Sequence, residues 1–416
     1  MKTKALRLYG AGDLRLEEFD LPDPGNDELL VKIVTDVACM STYKAVKQGT
    51  AHKRVPDDIA DNPIIVGHEF CGEIIHAGAN VSEEYSPGKK FVLQPAMNDI
   101  YDAAGYSFRF VGGNTQYAII PKCYLDQYCL LIFESEAFYQ GSLAEPLSCV
   151  IGAAKASYHV EKGDYTHIMG VRECGNMAVL AGCGPMGLAF TDYVIHCDRK
   201  PKLLVVTDAN GDRVSRASSL LPEKEAEKNG VELVYINTSG MSDPVKVLRD
   251  CSESRGYDDV FVFAPVSAVI EQADAILALD GCLNFFAGPT DTGFSASLNF
   301  YNVHYNATHI AATSGGNTED MRDAVAFLAT GKLNSSMLIS HIGGLDAAAD
   351  TILCLPDIPG FKKLIYNGVS MPLTAIEDFQ KKDDPLFKQL AGICDRNNGL
   401  WSAEAERVLL DNAPLI

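Results

Sequence analysis

Over residues 4–34 apolar positions alternate with polar ones in short runs, ALRLYG, DLRLEEF and ELLVKIV, broken at Pro22, Pro24 and Gly25. A period of two with one polar side predicts an antiparallel sheet that wets one face. The following stretch, DVACMSTYKAVKQG, changes rhythm, and Cys39 leaves the strand for a helix-like segment ending near Gly49. A second rhythm starts at MAVLAGCGPMGLAF, an apolar strand, a glycine-rich turn and the opening of a helix. It continues through the apolar runs LLVVTD, VELVYI, DDVFVFAP, GCLNFFAG and HIAATSGG. Helices are expected between them over 243–254, 267–279 and 318–330, the last stopping at Gly331. Strands alternating with helices predict a parallel sheet covered on both faces. From Met337 the runs LISHIGG and GFKKLIYNG return to the earlier rhythm, and beyond Thr374, spaced as a capping box with Glu377, short helices are expected.

Composition narrows the class. The chain has 416 residues, more than one ordinary core accommodates, and its 47% hydrophobic and 22% charged residues suit a globular protein of two domains. Lys and Arg number 35 against 55 Asp and Glu, a net charge of -20. That balance argues against nucleic acid or anionic membrane as partners, so an anionic ligand needs a local positive site. The N-terminus MKTKALRLYG lacks the apolar core of a signal peptide, and no run reaches the ~20 apolar residues of a membrane span. A cytosolic protein is expected, with most of its 12 cysteines reduced and buried, since no Cys-x-x-Cys occurs.

Two stretches carry chemistry. Gly182-x-Gly184-x-x-Gly187 follows a strand and opens a helix, and Asp208 ends the next strand about 20 residues on, which together form the dinucleotide fingerprint of a Rossmann domain. Gly182 permits the turn, Gly184 lets the backbone approach a diphosphate, and Gly187 lets helix and strand pack closely, with the diphosphate at the helix N-terminus. Asp208 would bind the adenosine ribose and favours NAD(H) over a 2′-phosphate, while Arg213 and Arg216 leave NADP(H) open. The second stretch, PIIVGHEFCGEIIHAGANV, places His68 beside Glu69 after an apolar run, with Gly72 and Gly78 read as two sharp backbone turns behind them. Taken alone, such a pair is more often a solvated surface pair than a metal site.

The spacing Gly67-His68-Glu69, Gly72, Gly78, Val81 resembles the zinc signature of the medium-chain alcohol and polyol dehydrogenases. That resemblance implies α/β architecture, a doubly wound Rossmann domain over 156–335 and a mainly β GroES-like catalytic domain in two pieces, 1–155 and 336–416, the second ending in a helical tail. Residues 165–175 stand out as an insertion. The resemblance makes Cys39 a thiolate ligand, where it would otherwise be a buried thiol. It makes Glu145 of GSLAEPLSCVIGA a ligand directly or through water, where it would otherwise be a first-turn helix acid. One thiolate, one imidazole and one or two carboxylates are a set that suits a catalytic Zn2+ with an open place, and either Glu69 or Glu145 could exchange with water. Ser41 matches the hydroxyl that begins the family's proton relay, and equally a helix-start serine. Residues 94–113 hold no cysteine, where many relatives carry four, so one catalytic zinc and no structural zinc is expected. A homo-oligomer, dimer or tetramer, is expected by resemblance only.

After Cys39 the polyol dehydrogenases usually carry Gly-Ser-Asp and then His, whereas this chain has Met40, Ser41, Thr42, Tyr43 and Lys44. From Lys44 through Lys47 to Lys53 and Arg54 no acid occurs. A solvated basic face explains such a window, and so does recognition of a substrate phosphate. The runs VPDDIADNPIIVGHEFCGEI, SLAEPLSCVIGA, GCLNFFAGPTD and TSGGNTEDMRDAV resemble, more narrowly, the L-sorbose 1-phosphate reductases. This resemblance implies a small sugar phosphate as substrate, the C2 ketone of L-sorbose 1-phosphate being reduced by NAD(P)H to D-glucitol 6-phosphate. Another zinc polyol dehydrogenase and a non-catalytic dinucleotide-binding protein are the competing readings; the latter would have no need of Cys39, His68, Glu69 and Glu145 together.

Overall fold

The computed structural model describes residues 1–161 and 163–416. The chain forms two compact units, residues 1–145 with 317–416, and residues 146–316. The two ends of the chain thus build one unit, as the returning strand pattern after Met337 predicts. The crossings fall earlier than the expected 155/156 and 335/336. Helix Ala144–Ala156 runs continuously through the first. Helix Thr318–Ala329 belongs with the outer segments, where the Thr318 hydroxyl lies 3.6 Å from the Cys129 thiol.

In the first unit the strand Leu29–Ala38 pairs antiparallel with Phe70–Ala77, Tyr117–Ile120 and Lys362–Tyr366, inside an eight-stranded sheet. Leu29, Val31 and Ile33 point to one face, as the period of two requires, and pack there against Phe70, Ile74, Phe91 and Tyr124. A second core gathers Leu6, Leu8, Ala45, Val46, Val55 and Ile365. Between them the strand ends at Ala38, so that Cys39 becomes the N-cap of helix Met40–Gln48.

One expectation about the glycines changes here. Gly72 makes no turn: it lies within the strand Phe70–Ala77, where a Cβ would fall 2.2 Å from the Lys32 carbonyl oxygen. The residue that turns the chain is Gly67, with φ of 96° and no room for a Cβ against Asn114 and Asp36.

The second unit is a six-stranded parallel sheet ordered Glu232–Asn237, Leu203–Asp208, Asn176–Leu180, Tyr257–Val262, Leu277–Phe285, His309–Ala311. Read in chain order this is 3-2-1-4-5-6, the doubly wound arrangement whose order reverses beside the first strand. The helix expected over 267–279 stops at Ile276, because Leu277 to Phe285 is one strand that passes through a left-handed Asp280, φ 58°. Within the stretch read as an insertion, His167–Met169 pairs antiparallel with Tyr158–Val160.

The tail consists of a 3-10 turn Ile376–Lys381 and helices Pro385–Arg396 and Ala403–Asn412. The capping box expected from Thr374 and Glu377 does not form: Thr374 is buried in a short strand and its hydroxyl donates to the Pro372 carbonyl at 3.0 Å. No helix among the described residues is long and apolar enough to cross a membrane.

Candidate active site

Three elements deliver the reactive groups. Cys39 sits where the central strand becomes a helix, while His68 and Glu69 follow the Gly67 turn and precede the strand Phe70–Ala77. The Val37 N–H donates to the Glu69 carbonyl at 2.9 Å, fixing the two segments side by side. One ligand atom each from Cys39, His68 and Glu69 lie within 4.8 Å of one another. Glu145 stands outside that group, close enough that its charge acts on Cys39, Tyr106 and Lys362.

His68 is buried and fixed by hydroxyls at both nitrogens, Thr42 Oγ1 at 3.0 Å from Nδ1 and Tyr106 Oη at 3.3 Å from Nε2. Burial, with the positive charges of Lys362 and Arg54, lowers its pKa to about 3, so the imidazole is a neutral donor atom. Burial followed by the charges of Glu69 and Glu145 pushes the Cys39 thiol up to about 12. Such a cluster of would-be anions fits a dication, which favours the thiolate. The donor set of one sulfur, one imidazole and one carboxylate is also that of zinc.

Sequence reading passes over the residue that holds Glu69. Lys362 Nζ donates to both carboxylate oxygens, at 2.6 and 2.7 Å, and both groups are buried. Burial opposes the ammonium, but Glu69 and Cys39 outweigh it and raise its pKa. The only signal for it was two adjacent lysines inside the otherwise apolar run GFKKLIYNG. Beneath Glu69, burial and that carboxylate's charge lift the Asp36 carboxyl well above the ordinary range, and it accepts from Asn114 Nδ2 at 2.7 Å. Tyr106 was equally unforeseen. Burial, then the charges of Cys39 and Glu145, keep its hydroxyl protonated, and exposed Ser41 lies near enough to ease that shift.

Of the basic window, Lys47 and Lys53 are exposed and Lys44 and Arg54 half-buried. The Arg54 guanidinium carbon lies 5.9 Å from the Tyr106 ring centroid and 6.0 Å from that of Tyr101.

In the second unit the fingerprint glycines occupy three different environments. A Cβ on Gly182 would meet Val179 at 2.4 Å and one on Gly187 the Gly182 carbonyl oxygen at 2.2 Å, whereas Gly184 faces open space at the N-cap of helix Pro185–His196. The buried Asp208 carboxylate accepts from the Cys183 N–H at 3.2 Å and the Asn210 N–H at 2.9 Å, which ties the glycine turn to the tip of the next strand. Exposed Arg213 follows on helix Gly211–Leu220.

The alcohol dehydrogenase GroES-like domain model matches residues 25–128. The chain is 49% identical to mannitol-1-phosphate 5-dehydrogenase of Aliivibrio fischeri over 99% of its own length and 98% of that protein. It is 46% identical to L-sorbose 1-phosphate reductase of Klebsiella pneumoniae over the same shares of each. The chain belongs to the zinc-dependent medium-chain dehydrogenase/reductase family. As a member of this family it is an oxidoreductase acting on CH–OH groups with NAD(P). The fold agrees with that of 2R,3R-butanediol dehydrogenase from Bacillus subtilis, TM-score 0.70 at 18% identity, covering 88% of this chain and 99% of the other.

Proposed function

We propose that this dehydrogenase interconverts a polyol phosphate and its ketose phosphate, and specifically that it reduces the C2 ketone of L-sorbose 1-phosphate to D-glucitol 6-phosphate with NAD(P)H. The observation that carries this reading is 46% identity over 99% of the chain to a reductase of that substrate, joined to the Cys39, His68 and Glu69 cluster within one unit. Mannitol 1-phosphate, oxidised at C5, is the alternative that the 49% relative supports.

Cys39, His68 and Glu69 would hold the zinc, with Glu145 as an outer carboxylate able to take part. Bound there, zinc supplies a Lewis acid for the substrate oxygen. The chain's own residues set the conditions around it. Lys362 balances the Glu69 charge, and burial keeps His68 unprotonated. Nicotinamide, when bound, would supply or accept the hydride, and the oxygen's proton would move through hydroxyls of the chain. Tyr106, whose hydroxyl lies 3.3 Å from His68 Nε2, would supply that path together with solvent-exposed Ser41. Gly184, at the N-cap of helix Pro185–His196, would hold the cofactor's diphosphate, and Asp208 would hold the ribose, which favours NAD(H).

The test follows NADH oxidation with L-sorbose 1-phosphate and with L-sorbose, and NAD+ reduction with D-mannitol 1-phosphate. A kcat/KM for L-sorbose 1-phosphate far above the other two is expected. Equal rates with L-sorbose would remove the phosphate from the reading, and a preference for D-mannitol 1-phosphate would transfer the assignment to that substrate.

A further inference from the structure

A half-buried cation with no counter-anion is a ready seat for one, and Arg54 is such a cation beside the metal-type cluster. The Nε–H of Arg54 is buried and has no hydrogen-bond partner, and no carboxylate of the described residues forms an ion pair with the guanidinium. In a chain with 55 acidic side chains that isolation is unusual. The backbone on either side of it is fixed. The Arg54 carbonyl accepts from Ser107 Oγ at 2.7 Å, and its N–H donates to His52 Nδ1 at 3.3 Å. His52 in turn stacks on Tyr106, ring centroids 5.6 Å apart and planes 12° from parallel.

The guanidinium therefore projects between two phenol rings from a held base. Tyr106 is buried and half of Tyr101 is open to solvent, so one wall is dry and the other admits a ligand. Tyr106 is also the ring whose hydroxyl reaches His68, with centroids 5.0 Å apart. Arg54 thus lies one tyrosine beyond the cluster, and its charge reaches the His68 imidazole. Lys47 and Lys53 are exposed on the same stretch.

We propose that Arg54 is the anchor for the substrate's phosphate ester, its planar donor fork taking the dianion between Tyr101 and Tyr106. This rests on the polyol-phosphate reading above and assigns the phosphate to one residue of the basic window. Guanidinium suits this task because two parallel N–H donors match two phosphate oxygens, which a lysine ammonium does not reproduce.

The experiment compares wild type, Arg54→Met and Arg54→Lys in the oxidation of D-glucitol 6-phosphate and of D-glucitol by NAD+, with inorganic phosphate as competing anion. For Arg54→Met the ratio of kcat/KM, phosphorylated over unphosphorylated, is expected to fall about 10- to 100-fold, through KM. Competitive inhibition by inorganic phosphate should disappear with it. Arg54→Lys, which keeps the stem and the charge, should fall between the two, and it carries the test if the Met variant does not fold. Retention of the wild-type ratio and phosphate inhibition in both variants overturns the role of Arg54 while leaving the polyol-phosphate function standing. A wild-type enzyme indifferent to the phosphate ester overturns that function and this anchor together.

Discussion

Lys362 Nζ stands 2.6 and 2.7 Å from the two carboxylate oxygens of Glu69, in a site closed to water on both sides of the pair. The pair joins the last strands of the unit to the first, since 293 residues separate the partners. In the metal-free protein, removing the cation leaves a buried carboxylate with no counter-charge. Lys362→Met should cost about 3–5 kcal/mol of stability, read as a shift of the urea midpoint. The double variant Lys362→Met with Glu69→Gln removes both charges and should recover most of that loss. If the two losses simply add, the pair is not coupled and the ion-pair account is wrong.

His159 gives the second unit a pH-dependent element. Burial disfavours its charged form, but the hydrogen bonds to Asp259 at 3.2 Å and that carboxylate's charge outweigh burial and raise the imidazole above 6.5, with Arg172 opposing and the Asp280 carbonyl assisting. A pKa raised on folding means that protons bind the native state more tightly. The stabilisation is fully present below pH 6.5 and is lost as pH rises through the folded value. The difference in urea midpoint between wild type and His159→Gln should therefore be largest in mildly acidic buffer and shrink toward alkaline pH. A difference that grows with pH would contradict the assignment.

Legibility in the chain follows the reach of each interaction. Cys39, His68 and Glu69 could be read only through the resemblance to the zinc dehydrogenases, whose signature runs from Gly67 to Val81, whereas Gly182, Gly184, Gly187 and Asp208 could be read from the residues because turn, helix and next strand are contiguous. Lys362 and Tyr106 could not, since each meets the cluster only through tertiary pairing: Lys363, the next residue, registers against Ala38, and Tyr106 reaches His68 across 38 residues. Thr374 misled for the opposite reason. Its spacing to Glu377 suits a helix cap, but strand pairing with Ile342 claims its backbone first. Gly72 likewise looked like a turn residue, and what demands glycine there is the carbonyl of a neighbouring strand.

The tail is tied to the first unit by one buried acid. Glu406 accepts the N–H groups of Phe138 at 2.6 Å and Tyr139 at 2.9 Å, and the Tyr366 hydroxyl at 2.9 Å, while Trp401 Nε1 donates to that same hydroxyl at 2.8 Å. Phe138 and Tyr139 open the short helix Phe138–Ser142 that leads to Glu145. Glu406→Ala strands two backbone donors and a phenol away from water. It should cost roughly 2–4 kcal/mol by denaturant titration. Glu406→Gln, which retains one acceptor oxygen, should cost less. Equal losses for the two would mean that packing rather than hydrogen bonding holds the tail.

Gly184 and Gly187, three positions apart, let the proposed cofactor role be separated from folding. At Gly187 an added Cβ lies 2.2 Å from the Gly182 carbonyl oxygen, backbone against backbone, and no side-chain rotation relieves it. Gly187→Ala should lose about 1–3 kcal/mol in stability and weaken NADH binding as a consequence. Gly184 has φ of -79° and open space where its Cβ would project, so alanine fits the fold there. Gly184→Ala should leave stability within about 0.5 kcal/mol of wild type. If the diphosphate lies against this N-cap, the same methyl group stands in its place, and NADH affinity by fluorescence titration should fall on the order of tenfold or more. Unchanged affinity in a folded Gly184→Ala would move the diphosphate elsewhere, whereas loss of stability without loss of affinity would leave the fingerprint role to Gly182 and Gly187 alone.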